Sequence, residues 1–130
     1  MTYDLSVEIS TSYEQAITQV KQTLKEQGFG TLTEIDVRQT LADKLGHQME
    51  EYIILGACNP ELAHRALEVE REIGLLLPCN VVVRRSGNKT VVQAMDPEVM
   101  VRITQRPEME PIAQEASSRL KAALKALTDL

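Results

Sequence analysis

The fold is decided by residues 52–60, which read YIILGACNP. Residues 52–57 form a continuous apolar run without alternation, which is typical of an interior strand covered on both faces. Asn59 is a favourable N-cap for a helix, and Pro60 suits the first helical position, where its missing N–H would be unpaired anyway. The stretch therefore predicts an interior strand that leads directly into a helix, which the apolar spacing extends to about Ile73.

The residues before this stretch predict two strands and two helices. Apolar and polar side chains alternate over residues 3–9, which indicates a strand with one buried face. Ser12 begins a capping box for a first helix, and Gly28 suits the end of that helix. A second strand is predicted over residues 29–37, where Asp36 caps a short second helix.

The residues after this stretch predict a hairpin and two further helices. Residues 79–84 and 90–95 are strand-like and flank the turn residues 86–89, so they should pair as an antiparallel hairpin. Asp96 opens a short helix, and an apolar stripe over residues 112–127 predicts a long closing helix.

This order of elements, β-α-β-β-α-β-β-α, predicts the fold class. We expect an α+β sandwich in which three main helices pack on a five-stranded, largely antiparallel sheet, either on one face or in two layers. A chain of 130 residues has a core of ordinary size, and no linker divides it. Residues 1–130 are therefore predicted to form a single domain.

The composition argues against two classes of function. Nucleic-acid binding needs Lys and Arg side chains that neutralise phosphates, and it often uses aromatic rings that stack on bases. The net charge here is -5, and there are only three tyrosines and one phenylalanine.

Residues 1–10 do not resemble a signal peptide, and no apolar run is long enough to span a membrane. We expect a cytoplasmic protein that binds neither nucleic acid nor membrane. In that compartment two cysteines would be free thiols, or redox or metal-binding groups, rather than a structural disulfide.

Several segments resemble one protein family. Residues 56–67 and 74–81, which include both cysteines and two prolines, resemble the domain of unknown function 302 family of bacteria and archaea. Residues 28–36 match its earlier motif and residues 95–97 its later one. The resemblance implies a compact α+β domain, often found as a dimer, with no settled activity. It identifies no catalytic residue and no cofactor that could be transferred to this chain.

Cys58 is the first candidate for a functional residue, because it lies just before a predicted helix start. Helix N-termini favour anions, so a thiolate there could act as a nucleophile or as a metal ligand. The alternative that we favour is a small apolar side chain at the end of a buried strand. Cys79, at the start of a Val-rich strand, has the same two interpretations.

The connection between the two cysteines decides whether they are neighbours. A helix over residues 60–73 would be about 20 Å long and would place Cys58 and Cys79 at opposite ends of the sheet. Residues 74–78 could instead carry the chain back by roughly 17 Å, which would bring the two thiols together. The sequence leaves both arrangements open.

This connection is also unusually apolar. Its Leu75, Leu76 and Leu77 would either pack under the preceding helix or form an exposed patch that a second subunit covers. The second alternative, together with the family resemblance, leads us to expect a homodimer.

His64 is the obvious partner for a reactive cysteine. The helical pattern places it opposite the buried stripe and one turn before Glu68, so we interpret it as an exposed histidine beside a carboxylate. Cys58 and His64 together are too few ligands for a structural zinc site, and no metal site is predicted.

Two main hypotheses of function follow. The first is a dimeric module that binds a small molecule near Cys58, Asn59 and Asn80, with His64 and Cys79 as further candidate ligand-binding residues. The second is a thiol- or metal-dependent enzyme that uses Cys58 with His64. A third hypothesis is a purely structural interaction domain without a pocket. The sequence identifies neither the ligand nor a cofactor.

Overall fold

A computed structural model of the chain describes residues 3–130. Its strands are β1 (Asp4–Ile9), β2 (Gly30–Asp36), β3 (Tyr52–Cys58), β4 (Cys79–Ser86) and β5 (Lys89–Met95). Its α-helices are α1 (Tyr13–Glu26), α2 (Val37–Leu45), α3 (Pro60–Val69), α4 (Glu98–Thr104) and α5 (Glu110–Thr128). Short 3-10 segments, Arg71–Leu76 and Pro107–Met109, precede β4 and α5.

The five strands form one open sheet in the order β1-β5-β4-β3-β2. Every neighbouring pair is antiparallel. The predicted α+β fold with a five-stranded antiparallel sheet is confirmed, as is the hairpin of β4 and β5. β3 lies between β2 and β4, so its predicted interior position is also confirmed.

The long helices α1 and α5 pack on one face of the sheet, which we call the inner face, whereas α3 packs mainly against α5. Leu24 of α1 and Leu120 of α5 belong to the same buried cluster as Leu55 and Val81 of the sheet. A second buried cluster, which includes Leu62, joins α3 and α4 to the first half of α5.

The opposite face of the sheet, which we call the outer face, differs from the expectation. The apolar run in β3 predicted cover on both faces, but Ile53 and Leu55 are buried whereas Ile54 is only half-buried. Ile54 pairs with Ile35 of β2 and Val82 of β4, and Ile35 is 50% exposed. The prediction of two covered faces was wrong, because the run belongs to an aliphatic row that crosses an incompletely covered face.

Local capping chemistry sets the helix starts. The side chain of Asn59 accepts a hydrogen bond from the N–H of Leu62 at 3.1 Å, and Pro60 is the first residue of α3. Ser12 and Asp36 each accept a hydrogen bond from the N–H three residues further on. The predicted starts of α1, α2 and α3 are confirmed.

The end of α3 is not where the sequence placed it. Extended backbone at Glu70 (φ -147°, ψ 110°) stops the helix after Val69, so α3 is about 15 Å long instead of about 20 Å. Ile73 lies in the following 3-10 segment and is still buried. Leu76 and Leu77 pack against the second cluster, whereas Leu75 is exposed.

The connection thereby brings the chain back to the end of β3, where Cys79 of β4 pairs with Ala57. Across residues 3–130, no helix combines the length and the apolar composition needed to cross a membrane.

Candidate functional site

An apolar pocket lies where β3 ends and α3 begins. Ala57 pairs with Cys79 of β4, and both residues line the pocket together with Cys58 and Asn59. Its remaining walls come from α3, α4, α5 and the loops beside them, and include Phe29, Leu62, Ala66, Leu77, Met100 and Ala116. The short α3 creates this arrangement, because it lets the chain return to start β4 beside the end of β3.

The apolar pocket is small and has one polar contributor among these side chains. Its cavity volume is about 30 Å³. Because roughly 10–15 Å³ holds one water molecule, the cavity has room for two or three small heavy atoms. Asn59 is buried, and its Oδ1 accepts the hydrogen bond from Leu62. Its amide nitrogen lies close to Gly28, at 2.8 Å from the position that a Cβ of Gly28 would take.

The two cysteines lie at the same end of the sheet, and both are free thiols. Burial, together with a smaller effect of Cys58, raises the pKa of Cys79 to about 11. Burial also raises the pKa of Cys58. The arrangement with the cysteines at opposite ends is wrong, because the connection after α3 carries the chain back. Burial disfavours the thiolate form of both residues, which argues against a nucleophilic role.

His64 lies outside the apolar pocket. Its side chain is 74% exposed, and its Nε2 lies 3.3 Å from Oε1 of Glu68, one turn further along α3. The interpretation as an exposed histidine beside a carboxylate is confirmed. Within residues 3–130, no three His, Cys, Asp or Glu side chains are grouped so that they could hold a metal ion.

Asn80 is separated from the other predicted site residues. It pairs with Gly56 and is exposed on the outer face, where it borders a shallow groove of about 490 Å³. Successive residues of a strand point to opposite faces, so a buried Cys79 places Asn80 on the other side of the sheet. The structure thus groups Cys58, Asn59 and Cys79, but brings neither Asn80 nor His64 into the apolar pocket.

The outer-face groove contains a chain of polar side chains. Arg84 donates from Nε to Oε1 of Gln93 at 3.0 Å. Gln93 donates from Nε2 to Oδ2 of Asp4 at 3.1 Å. Tyr3 and Tyr52 also border the groove. The outer face therefore presents both charge signs beside its aliphatic row.

Two arginines that the sequence did not single out lie near the apolar pocket. Arg65 of α3 and Arg119 of α5 both pair with Glu115, at 3.3 Å and 2.8 Å. Arg119 also donates from Nη1 to the carbonyl oxygen of Gln27 at 3.3 Å. The spacing of Glu115 and Arg119 by four residues was a signal for one ion pair. No local pattern could connect Arg65 to it, because only the packing of α3 on α5 brings them together.

Side-chain nitrogens of Arg119 and Asn59 both lie close to Gly28. A Cβ at Gly28 would lie 2.8 Å from Nδ2 of Asn59 and 3.0 Å from Nη1 of Arg119. Gly28 also has a φ of +85°, which L side chains rarely adopt. Glycine thus satisfies both the backbone conformation and the close approach of two hydrogen-bond donors.

Comparisons with known proteins agree with the fold and with the family resemblance. Residues 5–127 match the domain of unknown function DUF302. None of the curated proteins matches this chain. The crystal structure of an uncharacterized conserved protein DUF302 from Bacillus stearothermophilus superposes with a TM-score of 0.90 at 30% sequence identity, covering 96% of this chain and 98% of that chain. With nearly the whole chain matched, this protein belongs to the DUF302 family of domains of unknown function.

Proposed function

We propose that this protein is a small-molecule-binding module whose ligand enters the apolar pocket at the end of β3. The observation that carries the proposal is the pocket itself, which gathers Cys58, Asn59 and Cys79 in one place. Ligand sites are concave and mainly apolar, with a few polar groups that orient the ligand. Asn59 is a polar residue among those that line the pocket.

The alternative enzyme hypothesis has no support in the site geometry. A nucleophilic cysteine needs a lowered pKa or an adjacent base. Burial instead raises the pKa of both thiols, and His64 is paired with Glu68 on the exposed side of α3. Binding rather than thiol chemistry is therefore the function that we propose.

Filling the apolar pocket should abolish ligand binding. Ala63 lines the pocket and is half-buried, so Ala63→Leu should occupy the space with less strain than enlarging a fully buried residue. We expect a screen of small molecules, followed by amide NMR shifts, to find compounds that perturb Cys58 and Asn59 in the wild type. Those shifts should disappear in Ala63→Leu.

Ala122→Leu is the matched control, because Ala122 is exposed on α5 and does not line the pocket. It should bind the same compounds as the wild type. Compounds that bind Ala63→Leu and wild type equally, or a screen in which no compound perturbs the pocket, would count against the proposal.

We further propose that the protein forms a homodimer through its outer faces. The aliphatic row of Ile35, Ile54 and Val82 is the main support, because extended apolar patches on a sheet mark association surfaces. A second copy is the occupant that fits the charges. Arg84 and Asp4 lie on the same face with opposite signs, so a two-fold partner can oppose each charge with its opposite.

We also propose a cytoplasmic location. The two free thiols are consistent with it, because disulfides are rare in cytosolic proteins.

A charge in the aliphatic row should dissociate the homodimer. Ile35 is half-exposed, so Ile35→Lys should be tolerated in the monomer while placing an unpaired ammonium in the interface. We expect light scattering to give a dimer mass for the wild type and a monomer mass for Ile35→Lys. Leu75→Lys is the control, since Leu75 is exposed in the connection before β4 and should remain dimeric. A monomeric wild type, or dissociation by Leu75→Lys alone, would refute the outer-face dimer.

A further inference from the structure

We infer that the apolar pocket binds a cuprous ion, with the thiolates of Cys58 and Cys79 and the thioether of Met100 as its ligands. The inference rests on the proposed binding function of the pocket and specifies the ligand as a soft monovalent metal ion. Three observations lead to it: the position of the two cysteines, the methionine that joins them, and the chemistry of the remaining pocket wall.

Strand pairing places the two cysteines close together. Cys79 is the partner of Ala57 across the ladder of β3 and β4, and Cys58 is the next residue of β3. At the usual spacings of an antiparallel ladder, the Cα atoms of Cys58 and Cys79 lie roughly 6 Å apart. β3 ends at Cys58, where the chain turns into α3, and Cys58 lines the pocket together with Ala57 and Cys79. After burial, the nearby Cys58 is the second cause of the raised pKa of Cys79, which agrees with two thiols at close range.

Met100 of α4 brings a third sulfur to the same pocket. Its side chain is 3% exposed and lines the pocket with both cysteines. No third His, Cys, Asp or Glu joins the two cysteines within residues 3–130, so methionine is the third ligand that the structure offers. Three rotatable bonds let a methionine side chain adjust the position of its sulfur. The cavity of about 30 Å³ has room for an ion without a full hydration shell.

The rest of the pocket wall disfavours hard metal ions. Among the described residues that line it, there is no carboxylate and no histidine, and Oδ1 of Asn59 already accepts the hydrogen bond from Leu62. Mg²⁺ and Ca²⁺ need a shell of oxygen ligands, and a structural zinc ion needs a complete tetrahedral set. A cuprous ion prefers thiolate and thioether sulfur and is stable with fewer ligands. The sulfur-only set therefore selects Cu⁺.

Cys58 provides the route into the site. It is half-buried, whereas Cys79 is buried, so an incoming ion meets the thiol of Cys58 first. Each thiol loses its proton to solvent as its sulfur bonds to the ion, because a coordinating thiol is deprotonated outright. The metal thus replaces the protons that burial otherwise favours on these two sulfurs.

An anaerobic titration with Cu⁺ tests this inference. Ascorbate keeps the copper reduced, and the absorbance of the chelator bathocuproine disulfonate reports the copper that the protein does not take. We expect the wild type to bind one equivalent, and X-ray absorption at the copper edge to show only sulfur neighbours. Loss of an outer-shell partner costs a metal site about 10- to 100-fold in affinity, so Cys58→Ser and Cys79→Ala, which remove direct ligands, should each cost more than about 100-fold.

Met100→Leu and Met109→Leu form a matched pair of variants. Both methionines are buried in the second cluster, but of the two only Met100 lines the pocket. The change to leucine nearly conserves volume, so both variants should fold. Met100→Leu should lower the affinity for Cu⁺ about tenfold and remove one sulfur neighbour from the X-ray absorption spectrum. Met109→Leu should bind Cu⁺ as the wild type does.

The outcomes separate the copper assignment from the proposed function. The assignment is wrong if the wild type leaves all copper with the chelator, if Cys79→Ala binds Cu⁺ as tightly as the wild type, or if Zn²⁺ binds as tightly as Cu⁺. It is also wrong if Met109→Leu weakens binding as much as Met100→Leu.

The binding function of the pocket would still stand in these cases if small molecules shift the amides of Cys58 and Asn59 and Ala63→Leu abolishes those shifts. If neither copper nor any small molecule binds there, the proposed function fails as well. One sulfur-coordinated Cu⁺ that both cysteine variants lose, and that Met100→Leu but not Met109→Leu weakens, would support the assignment.

Discussion

Leu55→Ala is expected to lower the free energy of unfolding by about 3–5 kcal/mol, the upper range for removing a buried leucine side chain. Leu55 is 0% exposed and belongs to the buried cluster between the sheet and the helices α1 and α5. Its strand, β3, is paired on both sides, so the backbone cannot collapse into the space that the side chain leaves. The cavity should persist, and its cost adds to the lost hydrophobic transfer energy.

Urea denaturation monitored by circular dichroism measures this change. The matched control is Leu32→Ala, because Leu32 is 67% exposed at the register shift in β2. Its effect should stay within about 0.5 kcal/mol. A loss below 1 kcal/mol for Leu55→Ala, or equal losses for the two variants, would show that the inner face of β3 is not the tightly packed core described above.

The parts of the fold that depend on local chemistry were predictable from the sequence. Ser12, Asp36 and Asn59 cap their helices as expected, because a cap is a hydrogen bond to a backbone N–H only three residues away. The hairpin of β4 and β5 follows from its turn residues for the same reason. The end of α3 was not predictable in this way, because Ile73 continues the apolar spacing of the helix although it packs from a 3-10 segment.

The uncovered outer face shows a different limit of sequence interpretation. An apolar residue such as Ile54 indicates that a surface prefers to be covered, but not whether a helix or a second molecule covers it. The run in β3 thus indicated its interior position correctly, whereas the expected cover on both of its faces is incomplete in the monomer.

The candidate site was predictable only in part. Cys58 and Asn59 are adjacent to a helix start that the sequence specifies, whereas the position of Cys79 beside them depends on where α3 stops. Asn80 points away from the apolar pocket, because a change of one position in a strand reverses the direction of a side chain. The position of Arg119 beside Asn59 was not predicted, because it arises from helix packing and leaves no pattern in the sequence.

Gly56→Ala should have the second largest effect, a destabilisation of about 3 kcal/mol, at the upper end of the usual cost of overpacking. A Cβ at Gly56 would collide with Oγ1 of Thr33 and lie 2.9 Å from Cγ of Pro78. Thr33 is held opposite Gly56 by the pairing of β2 with β3, and the ring of Pro78 is rigid. Thr33 can withdraw its Oγ1 only by leaving its χ1 rotamer, and Pro78 cannot withdraw unless the backbone shifts. β3 also carries Leu55 and the residues that lead to the apolar pocket.

Two variants distinguish this steric effect from a general cost of replacing glycine. Gly74→Ala is the control, because nothing lies within 4 Å of a Cβ at Gly74, and its effect should be below about 0.5 kcal/mol. Thr33→Ala combined with Gly56→Ala should be more stable than the sum of the single variants predicts, because the first change removes Oγ1 from the contact. The recovery should be incomplete, since Pro78 remains in place. Strict additivity in denaturation experiments would mean that Thr33 is not what excludes a side chain at position 56, and that another constraint keeps this strand position free of a Cβ.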